Sequence, residues 1–176
     1  MIEYRWLKME EINRELFGAF VRRQVVVDCW RQEEGKWVIK PDPFVDDWGE
    51  VEYQELVCCL KNTLATDGMV QGAFVNGELK GFVSVEGTPI GSRKQYMDLS
   101  SIHVSQDMRR SGIGKELFSL AKQFAKERNA EKLYISSHSA VESQAFYRSM
   151  GCVEAEEYNQ EHVEREPYDC QLECVI

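Results

Sequence analysis

Apolar and polar residues alternate over residues 2–8, IEYRWLK, the period of a half-buried strand. Ile12, Leu16, Phe17, Phe20 and Val21 then recur at the spacing of one helix face, so a helix is expected behind that strand. β-Branched and aromatic runs flank QEEG (32–35) and predict a hairpin near 23–40; the alternative is a first helix that runs on through Val25 and Cys29. In DDWGEVEYQELVCCLKNTL (46–64), an aspartate cap precedes Tyr53, Leu56, Val57, Leu60 and Leu64 on one face, and Asp67–Gly68 closes the helix. Two apolar runs joined by Asn76–Gly77 form a second hairpin over 69–87, because that dipeptide takes the positive φ angles of a type I′ turn at least cost.

KQYMDLSSIHV (94–104) has the composition of a further strand. Ile113, Leu117, Leu120, Ala121 and Phe124 give a helix that stops near Asn129, and KLYIS (132–136) is a short buried strand. Ser139 and Glu142 match the capping box, which opens a helix that Gly151 ends in the left-handed conformation. Final strands are expected at 152–158 and 168–175. The order describes one α/β domain over residues 1–176, with an antiparallel hairpin feeding a strand–helix–strand–helix–strand unit in a central mixed sheet.

Composition narrows the classes. Apolar residues make up 43% and charged residues 29%, which suffices for a core and excludes a disordered chain. A formal net charge of -9 disfavours a nucleic-acid partner, since such partners are held largely by basic patches. Neither a leader pattern nor a run of about 18 apolar residues appears, so a soluble, cytoplasmic protein with no membrane partner is expected. Cys29, Cys58, Cys59, Cys152, Cys170 and Cys174 show no C-x-x-C and are expected as reduced core thiols. His103, His138 and His162 lack metal-ligand spacing, so no metal is expected.

The candidate chemistry lies in VSQDMRRSGIGKELF (104–118). A helix N-terminus leaves its first N–H groups unpaired and carries partial positive charge, and Gly112 and Gly114 leave that end unobstructed. Arg109, Arg110 and Lys115 add charge of the same sign, which suggests a phosphate or diphosphate seat over 109–115. It is not a P-loop, because Arg109 replaces its first glycine and Glu116 the hydroxyl residue; a dinucleotide fingerprint fails at Leu117.

Arg109-Arg110-Ser111-Gly112-Ile113-Gly114 resembles the R/Q-x-x-G-x-G/A element of the GNAT (GCN5-related N-acetyltransferase) family, and AFYRSMGC (145–152) resembles its F/L-Y-x-x-x-G-F element at the right distance. The resemblance implies the GNAT-like acyl-CoA N-acyltransferase fold, with acetyl-CoA as co-substrate. Its diphosphate would rest on the amides of Arg110, Ser111, Gly112, Ile113, Gly114 and Lys115 beside Arg109. Its pantetheine arm would pair with the backbone of Ile102, His103 and Val104, with Ser137 opposite. Tyr147 resembles the family's general acid, and Asp98 stands where some members carry a glutamate base, which could act through a water. Departures from the family pattern are Ala140 for a common asparagine, Cys152 for the usual phenylalanine, and Arg110 where glycine is frequent.

The acceptor side in this family falls between the first two helices, here residues 23–48. Trp30, Trp37 and Trp48, with Phe44, Asp42, Asp46 and Asp47 nearby, could hold an ammonium group, or the tryptophans could simply anchor the hairpin. The expected function is direct transfer of acetyl to a primary amine of a small molecule or peptide. The alternative is a non-catalytic CoA or acyl-CoA sensor, and a homodimer through a sheet edge is possible.

Overall fold

The structure, a computed structural model, describes residues 1–176. The strands are β1 (Ile2–Trp6), β2 (Arg23–Glu33), β3 (Lys36–Asp47), β4 (Met69–Val75), β5 (Glu78–Val85), β6 (Tyr96–Val104), β7 (Lys132–Ser137), β8 (Val153–Glu154) and β9 (Cys170–Val175). The helices are α1 (Glu50–Ala65), α2 (Ile113–Glu127), α3 (Val141–Ser149) and α4 (Gln160–Arg165). Seven strands form a mixed sheet in the order β1-β4-β5-β6-β7-β9-β8, and β2 and β3 form a separate ribbon. No helix is long and apolar enough to cross a membrane.

Each face of the sheet buries a cluster. One gathers Ile113, Leu117, Ala121 and Phe124 of α2 with Val83, Met97, Leu133 and Tyr147. The other gathers Tyr53, Val57 and Leu60 of α1 with Phe17, Phe20, Phe74 and Phe82. Gly81 sets how closely α2 approaches the sheet: a Cβ there would stand 2.5 Å from Ile113 Cγ2 and 3.1 Å from Leu117 Cδ1. Gly81→Ala should therefore cost about 1–3 kcal/mol by overpacking, measured by urea unfolding. Unchanged stability would mean that the first turn of α2 can lift without penalty.

Several sequence expectations hold at the level of backbone angles. Asn76 and Gly77 have φ of 52° and 80°, and Gly151 ends α3 at 88°. The first hairpin forms as well, turning at Glu34 and Gly35 with φ of 48° and 76°, but it runs to Asp47 rather than to about residue 40. Its extension changes the next helix: Asp46 and Asp47 end β3, and Gly49 is the cap of α1, its N–H donating to Glu52 Oε2 at 2.9 Å.

Other expectations are corrected. The helix over residues 12–21 is absent; two short 3₁₀ turns, Met9–Glu11 and Arg14–Phe17, take its place. Asn13 accepts from the Leu16 N–H at 3.0 Å and Gly18 follows Phe17, so the local chemistry favours a brief turn over a continued helix. Ile12, Phe17 and Phe20 are nonetheless buried as the periodicity requires. The Ser139–Glu142 capping box does not form. Ala140 is the N-cap of α3, and the Ser139 hydroxyl accepts instead from Arg31 Nη1 of the ribbon at 2.6 Å. The strand expected over 152–158 shortens to Val153–Glu154, and α4, unforeseen, fills part of the segment before β9. Cys58 and Cys59 are exposed on α1 rather than in the core, while the other cysteines are buried and free.

Candidate active site

Parallel pairing between β6 and β7 covers only Tyr96–Asp98 against Lys132–Tyr134. Beyond that point β6 stays paired with β5 and β7 with β9, so the facing edges of the two strands part. A register shift between Ser84/Val85 leaves Ser100 as an extra residue on β6, and such a bulge bends the strand away from its neighbour. The resulting cleft, about 610 Å³, is lined by Leu99 through Val104 on one side and Ile135 through His138 on the other. Arg109, Arg110, Gly114, Glu142, Phe146 and Tyr147 close one end, and Arg22, Gln24 and Val25 enter from the ribbon.

The turn into α2 has the expected character. No backbone or side-chain acceptor meets the N–H groups of residues 110–115, and Gly112 caps the helix without a side-chain bond. Gly112 has φ of 87° with open space around its missing Cβ, whereas a Cβ on Gly114 would meet the Phe146 ring at 3.2 Å. Arg110 also lies in the left-handed region, at 63°, which explains why glycine suits that position and why arginine there carries backbone strain. The Arg109 guanidinium is turned toward the ribbon and donates to the Arg23 carbonyl. Ser111 Oγ donates to the Met108 carbonyl at 2.5 Å and so braces the turn. Ile113 is buried beneath it and offers only its backbone, while the Lys115 side chain stays outside the cleft lining.

Tyr147 reaches the cleft from α3, its ring held between Phe118 and Phe146 at centroid distances of 6.4 and 5.2 Å. Burial raises its phenol well above the ordinary value near 10; the nearby Ser137 hydroxyl pulls the other way. Ser137 is in turn fixed by Gln144 Nε2 at 3.2 Å. The cleft therefore holds a neutral phenol, a proton donor by default.

Asp98 does not line the cleft. It is buried one residue before Leu99, the first lining residue of β6, because its side chain turns toward α4. There Oδ2 meets His162 Nε2 at 2.7 Å, and Oδ1 is buried without a partner. The His162 ring stacks on Tyr134 at 5.7 Å, and the hydrogen bond to Asp98 raises its pKa.

The tryptophans also lie outside the cleft lining. Trp30 packs beneath Arg148, 4.7 Å from its guanidinium carbon, and Trp37 donates to Glu154 Oε2 at 3.4 Å; both pin the ribbon to the body, the anchoring alternative. Trp48 backs the cleft wall, 4.8 Å from the His103 ring. The ribbon residues that do enter, Arg22 and Gln24, had no signal in spacing, and neither did Ser100, Ser101 or His138. His103 contributes a side chain as well as backbone: Arg22 Nε donates to its Nδ1 at 3.2 Å.

Burial, with Arg22 and Arg109 nearby, pushes His103 down to about 3. In the unfolded chain it binds a proton below its ordinary value of about 6.5, and in the folded protein it does not. Stability is thus lost as pH falls below that value, by on the order of 1.4 kcal/mol per pH unit from this group. His162, raised, acts in the opposite sense and in a separate window, losing its contribution as pH climbs from about 6.5 through its folded value. Denaturant titrations between pH 6.5 and 5 should show a shallower pH slope for His103→Gln than for wild type. Equal slopes would mean that the folded histidine protonates.

A parted pair of parallel strands above a helix N-terminus of unpaired amides is an α/β arrangement whose chemistry suits an extended ligand that ends in phosphate. The family model for the acetyltransferase (GNAT) family matches residues 10–152, and the chain belongs to that family. Nourseothricin acetyltransferase is 19% identical, with a TM-score of 0.67 over 98% of this chain and 95% of its own. A Bacillus anthracis str. Ames protein described as a streptothricin acetyltransferase, solved with acetyl coenzyme A, is 16% identical, with a TM-score of 0.70 over 98% and 96%. The PaiA N-acetyltransferase of Thermoplasma acidophilum, solved with coenzyme A, is 14% identical, with a TM-score of 0.62 over 100% and 99%. At these identities the likeness establishes the fold, a GNAT α/β fold with a mixed sheet flanked by helices. Among curated protein sequences none is significantly similar to this chain.

Proposed function

We propose that the protein transfers the acetyl group of acetyl-CoA to a primary amine of a small molecule or peptide within a ternary complex. The observation that carries this reading is the run of unpartnered N–H groups at 110–115, set at the mouth of the cleft between β6 and β7. The diphosphate rests on those amides, and the pantetheine arm lies along the open edge of Ile102, His103 and Val104, opposite Ser137. In the transfer, the amine lone pair attacks the thioester carbonyl carbon, a tetrahedral oxyanion forms, and the C–S bond breaks. Tyr147 gives its proton to the departing thiolate. Burial raises the proton affinity of the phenol, which keeps it protonated until the thiolate departs.

The proton leaving the ammonium goes to water in the open cleft, because Asp98, the expected base, is turned toward His162 and away from the lining. No cysteine lines the cleft, which supports direct transfer over an acyl-enzyme. The reading carries with it a cytoplasmic location, a reducing compartment suited to free thiols. Thiol release from acetyl-CoA across amines, polyamines, amino acids, aminoglycosides and peptide N-termini tests it. Acceptor-dependent release is expected; tight CoA binding with no release for any amine would make the protein a sensor instead.

A further inference from the structure

The cleft carries cationic groups that the glycine turn does not account for. Arg22, just ahead of β2, is mostly buried, its side chain 11% exposed. Nε donates to His103 Nδ1 at 3.2 Å, and Nη2 donates to Gln24 Oε1 at 3.2 Å and Asp46 Oδ2 at 3.0 Å. Nη1 has no protein acceptor. It is not sealed off either, because the one buried side-chain polar atom without a partner is Asp98 Oδ1.

His103 completes the pair. Its Nδ1 accepts from Arg22, so its proton sits on Nε2, which also has no partner and is likewise open to the cleft. Two planar groups, each locked by its other bonds, thus present N–H donors on the same wall. Arg109 lines the same cleft as Arg22 and His103, and it has no carboxylate partner. Asp46 balances one guanidinium, leaving the trio, with its neutral imidazole, about one positive charge in a chain of net charge -9. Such a site suits a planar monoanion rather than a phosphate dianion.

The wall's orientation says whose anion it is. Ile102 and Val104 pack toward the core that contains α2, whereas His103 rests on Phe82 at 5.4 Å and Trp48 at 4.8 Å, on the face of α1. The diphosphate seat belongs to the α2 face, so Arg22 and His103 address the other reactant. Arg22 and Tyr147 line the same cleft, so a group bound at Arg22 shares that cleft with the proposed proton donor.

We propose that Arg22 and His103 recognise a carboxylate on the acceptor, whose class is therefore amines that carry a carboxylate, namely amino acids or short peptides. The inference rests on the acetyl-transfer reading, but its test needs no turnover. The protein–CoA complex is titrated by calorimetry with a panel of N-acetyl amino acids and their matched C-terminal amides, product-like probes that differ only in the anion. At least one acid is expected to bind ten-fold or more tighter than its amide, with Arg22→Gln removing that preference and Arg22→Lys, which keeps charge but not the fork, retaining part of it. Equal binding of every acid and amide, binding of neither, or loss of CoA affinity in Arg22→Lys matching the loss for the acid would overturn the proposal. Absence of thiol release with all amines, by contrast, would defeat acetyl transfer while leaving a measured acid preference standing.

Discussion

Gly112→Asp is expected to weaken CoA binding by a hundred-fold or more, with Gly112→Asn as its companion. Asn and Asp share a shape and both tolerate the left-handed region, so backbone strain at φ of 87° is common to the two. No atom lies within 4 Å of the added Cβ, which removes steric conflict from the comparison. What differs is one negative charge beside the seat of the diphosphate. A like charge about 4–5 Å away near a protein surface costs on the order of 3–4 kcal/mol, and each 1.4 kcal/mol is ten-fold in affinity. Calorimetric titration with CoA should show the aspartate far weaker than the asparagine. Equal affinities would show that the phosphate charge is carried somewhere other than the 110–115 turn.

Tyr147→Phe should lower kcat by roughly 10²–10⁴-fold, the usual contribution of a positioned proton donor, with CoA affinity nearly unchanged. The ring is held by Phe118 and Phe146 rather than by its hydroxyl, so phenylalanine keeps the packing and removes only the proton. A Ser137→Ala variant, which removes the nearby hydroxyl that lowers the phenol's proton affinity, should give a smaller fall in kcat. Stopped-time thiol release and CoA titration separate the two quantities. If Tyr147→Phe turns over at the wild-type rate, another group or water protonates the thiolate.

Much of this fold was legible because the relevant interactions are local. The apolar runs of β4 and β5, the Asn76–Gly77 turn, the amphipathic face of α2 and the left-handed stop at Gly151 each depend on a few neighbouring residues. The failures share one cause as well. Ser139 fits a helix cap by its own neighbourhood, but its hydroxyl is engaged by Arg31, a residue more than a hundred positions away, and Ala140 caps the helix instead. The expected aspartate cap of α1 failed because Asp46 and Asp47 were drawn into the ribbon opposite Gln24 and Arg23. Helix periodicity at Ile12–Val21 located the buried Ile12, Phe17 and Phe20 but not their backbone or the exposed Val21, since two short turns can bury most of the residues that one helix would.

Residue order determined the strand–turn–helix unit at 104–118 and its unpaired amides, because donors left bare at a helix start follow from local geometry and from glycine. Only the tertiary structure decided which side chains face the cleft. The divergence of β6 from β7, the turning of Asp98 toward His162 and the delivery of Arg22 onto His103 are arrangements across 36, 64 and 81 positions of chain. Such pairings are set by which surfaces the sheet and ribbon can bury together, and that is a property of the packed molecule rather than of any short stretch of it.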